Sequence, residues 1–427
     1  MTKKRIAIVG AGPAGLMCAW RLAQRVPEAE ISLFEASSSL GRKILIAGAS
    51  GLNVAPGLDV SSTTYQGPRH FVEGYDLTKL SPAQQTAFQA VLNYFSIPHW
   101  IAFIERLGFR HFFGSSGRYF LEDKKAARFI AAWVQALGRN VTVFKNTVVS
   151  NLTATKHAVG THSEYVLEYK NSENTLAATQ SLFDWVVLAT GGKSYLPSIL
   201  KAVSENPIEY ALKKQNIPFS KYEPSNIGFE VSWPKSFLNE IGGRTPLKNV
   251  LCTSALGSRR GDILITEYGV EGTPIYTIGT PGPLSLDLFP DLSIEQLQYK
   301  LSRGSEKRAF LRQAKKTLHL DPVREALLFH CVLDGFANGD GSPINATTLK
   351  AFQLPLHAPR PIDEAISTSG GLVFENLGSD FQLQRLPNCY AIGEMLDFDA
   401  ITGGFWLHAC VAQGYFVADQ IAEKLLK

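Results

Sequence analysis

The stretch Arg5-Ile-Ala-Ile-Val-Gly10-Ala-Gly12-Pro13-Ala14-Gly15 decides the fold of this 427-residue chain. Residues 5–9 form a short apolar run rich in β-branched side chains, as a buried parallel strand requires. Residues 14–25 predict a helix with Leu16, Ala19, Trp20 and Ala23 on one face, closed by Pro27. Residues 30–34 predict a second buried strand that ends at Glu35. The three pieces make one βαβ unit. In such a unit Gly10 allows the tight turn, Gly12 lets backbone approach a pyrophosphate, and Gly15 lets helix pack on strand. The helix N-terminus offers free N–H groups to the phosphates. Glu35 stands twenty residues after Gly15, where a carboxylate accepts hydrogen bonds from ribose hydroxyls. An ordinary strand–helix turn beside a surface glutamate is the bland alternative. Strand, helix and acid occurring together favour a dinucleotide.

Composition sets the outer limits. The length suggests two or three domains, and 45% hydrophobic against 19% charged residues suits large buried cores. A formal charge of +4 is small for this length and argues for neither a nucleic-acid nor a membrane partner. The five cysteines (Cys18, Cys252, Cys331, Cys389, Cys410) are scattered, without a CxxC pair. That pattern fits reduced thiols, and no Cys/His spacing predicts a metal site. The opening Lys3-Lys4-Arg5 imitates a secretory signal, but Gly10, Gly12, Pro13 and Gly15 interrupt the apolar run behind it. No segment offers about 18 uninterrupted apolar residues. The expectation is a cytoplasmic protein in which the sequons at Asn140, Asn151 and Asn345 are incidental.

Farther along, residues 41–80 read as a long functional loop with short ordered pieces. Residues 82–107 read as helix broken at Pro98, and 124–137 as an amphipathic helix. Residues 141–152 suggest one strand or hairpin arm, with further strands at 165–169 and 185–189. Short strands at 227–233, 249–253 and 263–266 alternate with Gly/Pro turns and suggest a β-rich insertion. Residues 293–338 are helical and charged (Arg303, Glu306, Lys307, Arg308, Arg312, Lys315, Lys316), a pattern typical of a solvated face. A strand at 389–392 and a long closing helix at 404–426 complete the chain.

Three later segments bear on whether the dinucleotide is NAD or FAD. Gly41-Arg42-Lys43 places cations where they can face a pyrophosphate. The strand ending Ala189-Thr190-Gly191 resembles the glycine turn beside the cofactor in two-dinucleotide-fold flavoproteins. Gly393-Glu394-Met-Leu-Asp397 resembles the late segment whose acid meets the ribityl chain or pyrophosphate, with Glu where most such folds have Asp. Immediately after it, Thr402-Gly403-Gly404 opens the last helix, whose N-terminus stabilises negative charge on a reduced flavin. In this order the pieces favour FAD over NAD.

The chain as a whole resembles the BaiN/YhiN-like flavoproteins. The resemblance rests on residues 41–53 (GRKILIAGASGLN), 117–120 (GRYF), 265–272 (ITEYGVEG), 369–374 (SGGLVF) and 393–404 (GEMLDFDAITGG). It implies an α/β fold: a discontinuous FAD-binding Rossmann-like domain of the glutathione-reductase type over 1–200 and 361–427. It further implies a β-rich insertion over 207–290 and 343–360, and a small helical subdomain over 291–342. The cofactor contacts expected on this reading begin with Gly10, Gly12, Pro13, Ala14, Gly15, Glu35 and Ala36. Arg42, Lys43, Gly51, Asn53 and Val148 follow, then Ala189, Thr190 and Gly191. Gly393, Glu394, Asp397, Thr402, Gly403 and Gly404 close the set. Family members typically carry Gly-Arg-Cys-Asn where this chain has Gly51-Leu52-Asn53, which places it in a Gly-Leu-Asn branch. Family activities include oxidation of a small amino ketone and reduction of conjugated steroid ketones.

No second glycine fingerprint follows a strand in mid-chain. Reduction of the flavin therefore falls to the substrate or to NAD(P)H docking transiently over the ring. Asn53, Trp406 and His408 are the candidates for a role at the flavin, with Tyr268 and Glu271 behind them. Tyr75-Asp-Leu-Thr-Lys79 matches a dehydrogenase YxxxK pair but lies in a loop, and reads as coincidence. The expected activity is hydride exchange between a small organic substrate and flavin N5, for which the cofactor carries the hard chemistry. A flavin-bound RNA-associated protein and a nicotinamide-dependent dehydrogenase are the alternatives.

Overall fold

The computed structural model describes residues 3–48, 52–57, 71–72, 74–114, 117–123, 125–155, 164–171, 178–203, 205–301, 307–332 and 345–426. Gly51, Lys124, Arg303 and Glu306 lie outside the described residues. The chain divides into two compact units, one of residues 1–63, 71–225 and 366–427, the other of 64–70 and 226–365.

In the first unit the labelled elements are β1 (Arg5–Val9), α1 (Pro13–Arg25), β2 (Glu30–Phe34), α2 (Arg42–Ala47) and β3 (Asn53–Pro56). They continue with β4 (His111–Gly114), β5 (Arg118–Leu121), β6 (Val141–Phe144), β7 (Trp185–Leu188), β8 (Cys389–Ala391) and α3 (Phe405–Leu426). Five strands form a parallel sheet in the order β8-β7-β1-β2-β6. Ile6, Ala7, Ile8 and Leu33 are wholly buried there, as strands covered on both faces demand. One of these strands, β8, comes from the far end of the chain, so the sheet closes only when both ends meet. The helix α3 packs on α1 so closely that a Cβ on Gly414 would lie 2.3 Å from the Ala14 carbonyl oxygen. The contact is locked at its far end by Arg21, whose guanidinium donates to both oxygens of the buried Asp419 at 2.8 and 3.0 Å.

Several elements depart from the sequence expectation. Residues 141–152 give two strands in different sheets, because Asn146 turns the chain with φ +52° between β6 and the strand Thr147–Thr155. The loop at 41–80 contains a helix, α2, which Gly41 starts from a left-handed conformation. The break expected at Pro98 falls earlier. Ser96 caps a new helix, Ile97–Arg106, with Pro98 in its first turn, where a missing N–H costs nothing. Residues 207–225, β-rich by composition, begin with a helix, Pro207–Lys214, and the strand Phe219–Pro224 pairs with Thr368–Leu372 inside the first unit. A second, three-stranded antiparallel sheet has the order β3-β5-β4.

The second unit is a six-stranded antiparallel sheet. Of the run 227–233 only Phe229–Glu230 pairs as strand. The helices Ile294–Leu301, Lys307–Leu318 and Pro322–Ala326 bury Leu297, Phe310, Ala314 and Val323 in one core with Ile263, Ile265, Leu284 and Leu286 of the sheet. Lys315, from the basic run, is ion-paired with Glu325 at 2.6 Å. Among the described residues no helix is long and apolar enough to cross a membrane.

Candidate cofactor site

The turn after β1 is built with no slack on one side and open space on the other. Gly10 has φ +108°, and a Cβ there would lie 2.2 Å from the Ala189 carbonyl oxygen. A Cβ on Gly15 would lie 1.9 Å from the carbonyl oxygen of Gly10. A Cβ on Gly12 would meet nothing within 4 Å. Gly12 is also the N-cap of α1, with Pro13 next, no side chain capping the helix and no acid in its first turn. The free N–H groups of Ala14 and Gly15 are those that a phosphate takes. Beside the turn, Glu35 accepts from the Ala11 N–H at 2.9 Å and from the Ser37 N–H at 2.8 Å. Each carboxylate oxygen keeps lone pairs for a ribose hydroxyl. Ala36 follows it, half-buried.

The second wall comes from the late part of the chain. Ala189 continues β7 by donating to the Val9 carbonyl at 2.8 Å, Thr190 Oγ1 lies 3.6 Å from Met395 Sδ, and Gly191 turns with φ +75°. A Cβ on Gly393 would sit 3.0 Å from that of Ala14, so this segment lies directly on the opening of α1. Gln413 fixes it by accepting the Gly393 N–H at 2.7 Å. Lys43 Nζ lies 2.6 Å from both oxygens of Glu394, which also accepts from the Thr368 N–H at 2.9 Å. The cation and the acid read toward a pyrophosphate thus hold each other and tie α2 to the late segment. Arg42 Nε donates to the Tyr195 carbonyl at 3.0 Å. Asp397 is paired with Lys79 Nζ at 2.7 Å. Val148 stands half-buried in the strand Thr147–Thr155, opposite Lys170.

At the opening of α3, a Cβ on Gly404 would lie 2.6 Å from the Ala55 backbone in β3, and one on Gly403 would lie 2.8 Å from Arg118 Nε in β5. Thr402 is half-buried in the same turn. Two buried polar atoms close by, Asn53 Oδ1 and Trp406 Nε1, have no hydrogen-bond partner among the described residues. Leaving such atoms unpaired costs about 1–3 kcal/mol each. One is an acceptor and the other a donor, as the imide edge of a flavin pyrimidine ring needs. With the open space at Gly12 and the uncapped α1, these residues fit FAD.

His408 is engaged on both ring nitrogens. Its Nε2 donates to the Phe95 carbonyl at 2.9 Å, and Nδ1 lies 3.4 Å from the Tyr75 hydroxyl. Burial pushes its pKa down from 6.5 to about 4, so the ring is neutral at physiological pH. The YxxxK pair is split, with Tyr75 buried and donating to the Phe405 carbonyl while Lys79 holds Asp397. Tyr268 and Glu271 lie in the second unit, hydrogen-bonded to each other. Arg118 and Gln413 were not singled out in the sequence. Only the Gly117-Arg118 motif hinted at the first, and a polar side chain inside an apolar helix face marked the second.

Residues 4–420 match the family model described as the HI0933-like protein Rossmann domain. The chain belongs to the HI0933-like family. It is accordingly an FAD-dependent oxidoreductase, and the resemblance carried by the motifs at both ends holds at family level. A 3-dehydro-bile acid delta(4,6)-reductase of Clostridium scindens is 22% identical over 443 residues, spanning 98% of this chain and 99% of the relative. Among solved structures, E. coli quinol fumarate reductase aligns with TM-score 0.49 at 16% identity, covering 100% of this chain and 71% of that one. The 3-ketosteroid delta1-dehydrogenase of Sterolibacterium denitrificans aligns with TM-score 0.44 at 12% identity, covering 98% and 99%.

Proposed function

We propose that this HI0933-like protein reduces the carbon–carbon double bond of a conjugated ketone, with a reduced nicotinamide as the source of two electrons. One observation carries the substrate class. The match to the 3-dehydro-bile acid delta(4,6)-reductase runs over 98% of this chain and 99% of the relative, so neither has a large region without a counterpart. When bound, FAD would supply the two-electron redox chemistry, with solvent as the source of the proton that completes reduction of the double bond. The residues of the chain do the rest. Gly12 and the open end of α1 receive the diphosphate, and Glu35 the adenosine ribose. Asn53 accepts from, and Trp406 donates to, the edge of the flavin ring. The first turn of α3 would set its partial positive charge toward the flavin ring. Lys43 and Glu394 neutralise each other and keep the two walls in register.

The test is turnover of purified holoprotein with NADH or NADPH and a panel of conjugated ketones. We expect loss of the enone ultraviolet band and a product heavier by two hydrogens. Oxygen-consuming oxidation of an amino ketone, with every enone inert, would overturn the reading.

A further inference from the structure

We infer that one face of the small β3-β5-β4 sheet is the platform for the hydrocarbon body of the substrate, and that Phe112 sets a preference for large, flat, fused-ring ketones over single-ring ones. The inference rests on the conjugated-ketone reading above and deepens it.

Directly paired residues of antiparallel strands share a face, and successive residues alternate. Asn53 of β3 pairs with Phe120 of β5, and Phe120 pairs with Phe112 of β4. Asn53, Phe120 and Phe112 therefore form one row across the sheet. Arg118, two residues from Phe120, stands on the same face and reaches Gly403 at the opening of α3. The row starts at the cofactor site and ends in solvent. Among the described residues the buried Asn53 Oδ1 atom has no hydrogen-bond partner, Phe120 is half-buried, and Phe112 is 48% exposed. The rings of Phe112 and Phe120 are stacked, with centroids 5.6 Å apart and planes within 21°. Phe120 lies over Gly114, where a Cβ would sit 2.8 Å from its Cε2. The result is a flat apolar step leading outward from Asn53.

Two inter-strand spacings put Phe112 about 10 Å from the Asn53 strand. A single-ring enone lying over the flavin beside Asn53 does not span that distance, whereas a fused polycyclic ketone does and covers the exposed ring. The opposite face supplies a built-in comparison. Phe113, paired with Tyr119, is 59% exposed, more than Phe112, but points away from the row.

The experiment measures dissociation constants by calorimetry for oxidised holoprotein, with a fused four-ring conjugated ketone and with cyclohexenone as probes. Phe112→Ser is expected to raise the Kd of the polycyclic probe about tenfold more than that of cyclohexenone. Phe113→Ser is expected to leave the ratio of the two constants where it is in the parent. An unchanged ratio in Phe112→Ser, or an equal change in Phe113→Ser, overturns the inference while leaving ketone reduction intact. If the parent neither binds nor reduces any conjugated ketone, the functional reading falls and this inference with it.

Discussion

At the scale of single residues, Gly10 and Gly12 stand two positions apart and answer to different demands. Gly10 is required by the fold, since its φ of +108° and the 2.2 Å approach of the Ala189 oxygen leave no room for a side chain. Gly12 has φ −74° and empty space around its missing Cβ, so the fold alone tolerates alanine there. We predict that Gly10→Ala destabilises the apoprotein by about 3 kcal/mol or more. Gly12→Ala should keep apoprotein stability within about 0.5 kcal/mol, yet weaken FAD binding by about ten- to a hundredfold. Urea melts of the apoproteins, together with FAD titrations, check both. Loss of apoprotein stability in Gly12→Ala, or unchanged FAD affinity, would contradict the assignment. The glycine motif was legible from spacing alone, because backbone constraint leaves its mark in residue type. The Lys43–Glu394 pairing was not, because the partners lie 351 positions apart and charge type does not reveal which opposite charge is met.

At the scale of elements, the closing helix is fastened at its first turn through His408, which reaches Phe95 at the end of the helix Pro82–Tyr94. Burial holds this ring neutral, with its pKa lowered from 6.5 to about 4. Above pH 6.5 the ring is neutral folded and unfolded, and its contribution to stability is complete. As pH falls below that value the unfolded chain takes up a proton that the folded chain refuses. Stability is then lost until the folded ring protonates near pH 4. The loss between pH 7 and pH 5 amounts to about 2 kcal/mol from this residue. His408→Gln should therefore show a shallower fall of unfolding free energy over that interval, measured by urea denaturation. Identical slopes would contradict the burial argument. The periodicity of 404–426 made the helix legible. Sequence left open whether His408 packs or faces the cofactor, since a histidine on an apolar helix suits either until its neighbours are known.

At the scale of the molecule, the parallel sheet is completed by a strand from the far end of the chain, and the proposed cofactor site draws on both ends in the same way. Hydrophobic runs bounded by glycine made the strands of this sheet readable, including β7 and β8. The small β3-β5-β4 sheet was missed because β3 is short, follows a glycine-rich stretch of sequence, and pairs with a strand more than sixty positions away. Register between distant segments is set by packing, which local pattern does not carry. This sheet is also the proposed platform for the substrate. The account as a whole stands on ketone reduction at an FAD held by both chain ends. Its most direct test is a single turnover: reduce the holoprotein anaerobically, then mix it with a fused-ring conjugated ketone or with oxygen. The account predicts that the ketone reoxidises the flavin faster than oxygen does, with one equivalent of saturated ketone formed per flavin. Rapid reoxidation by oxygen, with the ketone recovered unchanged, would contradict it.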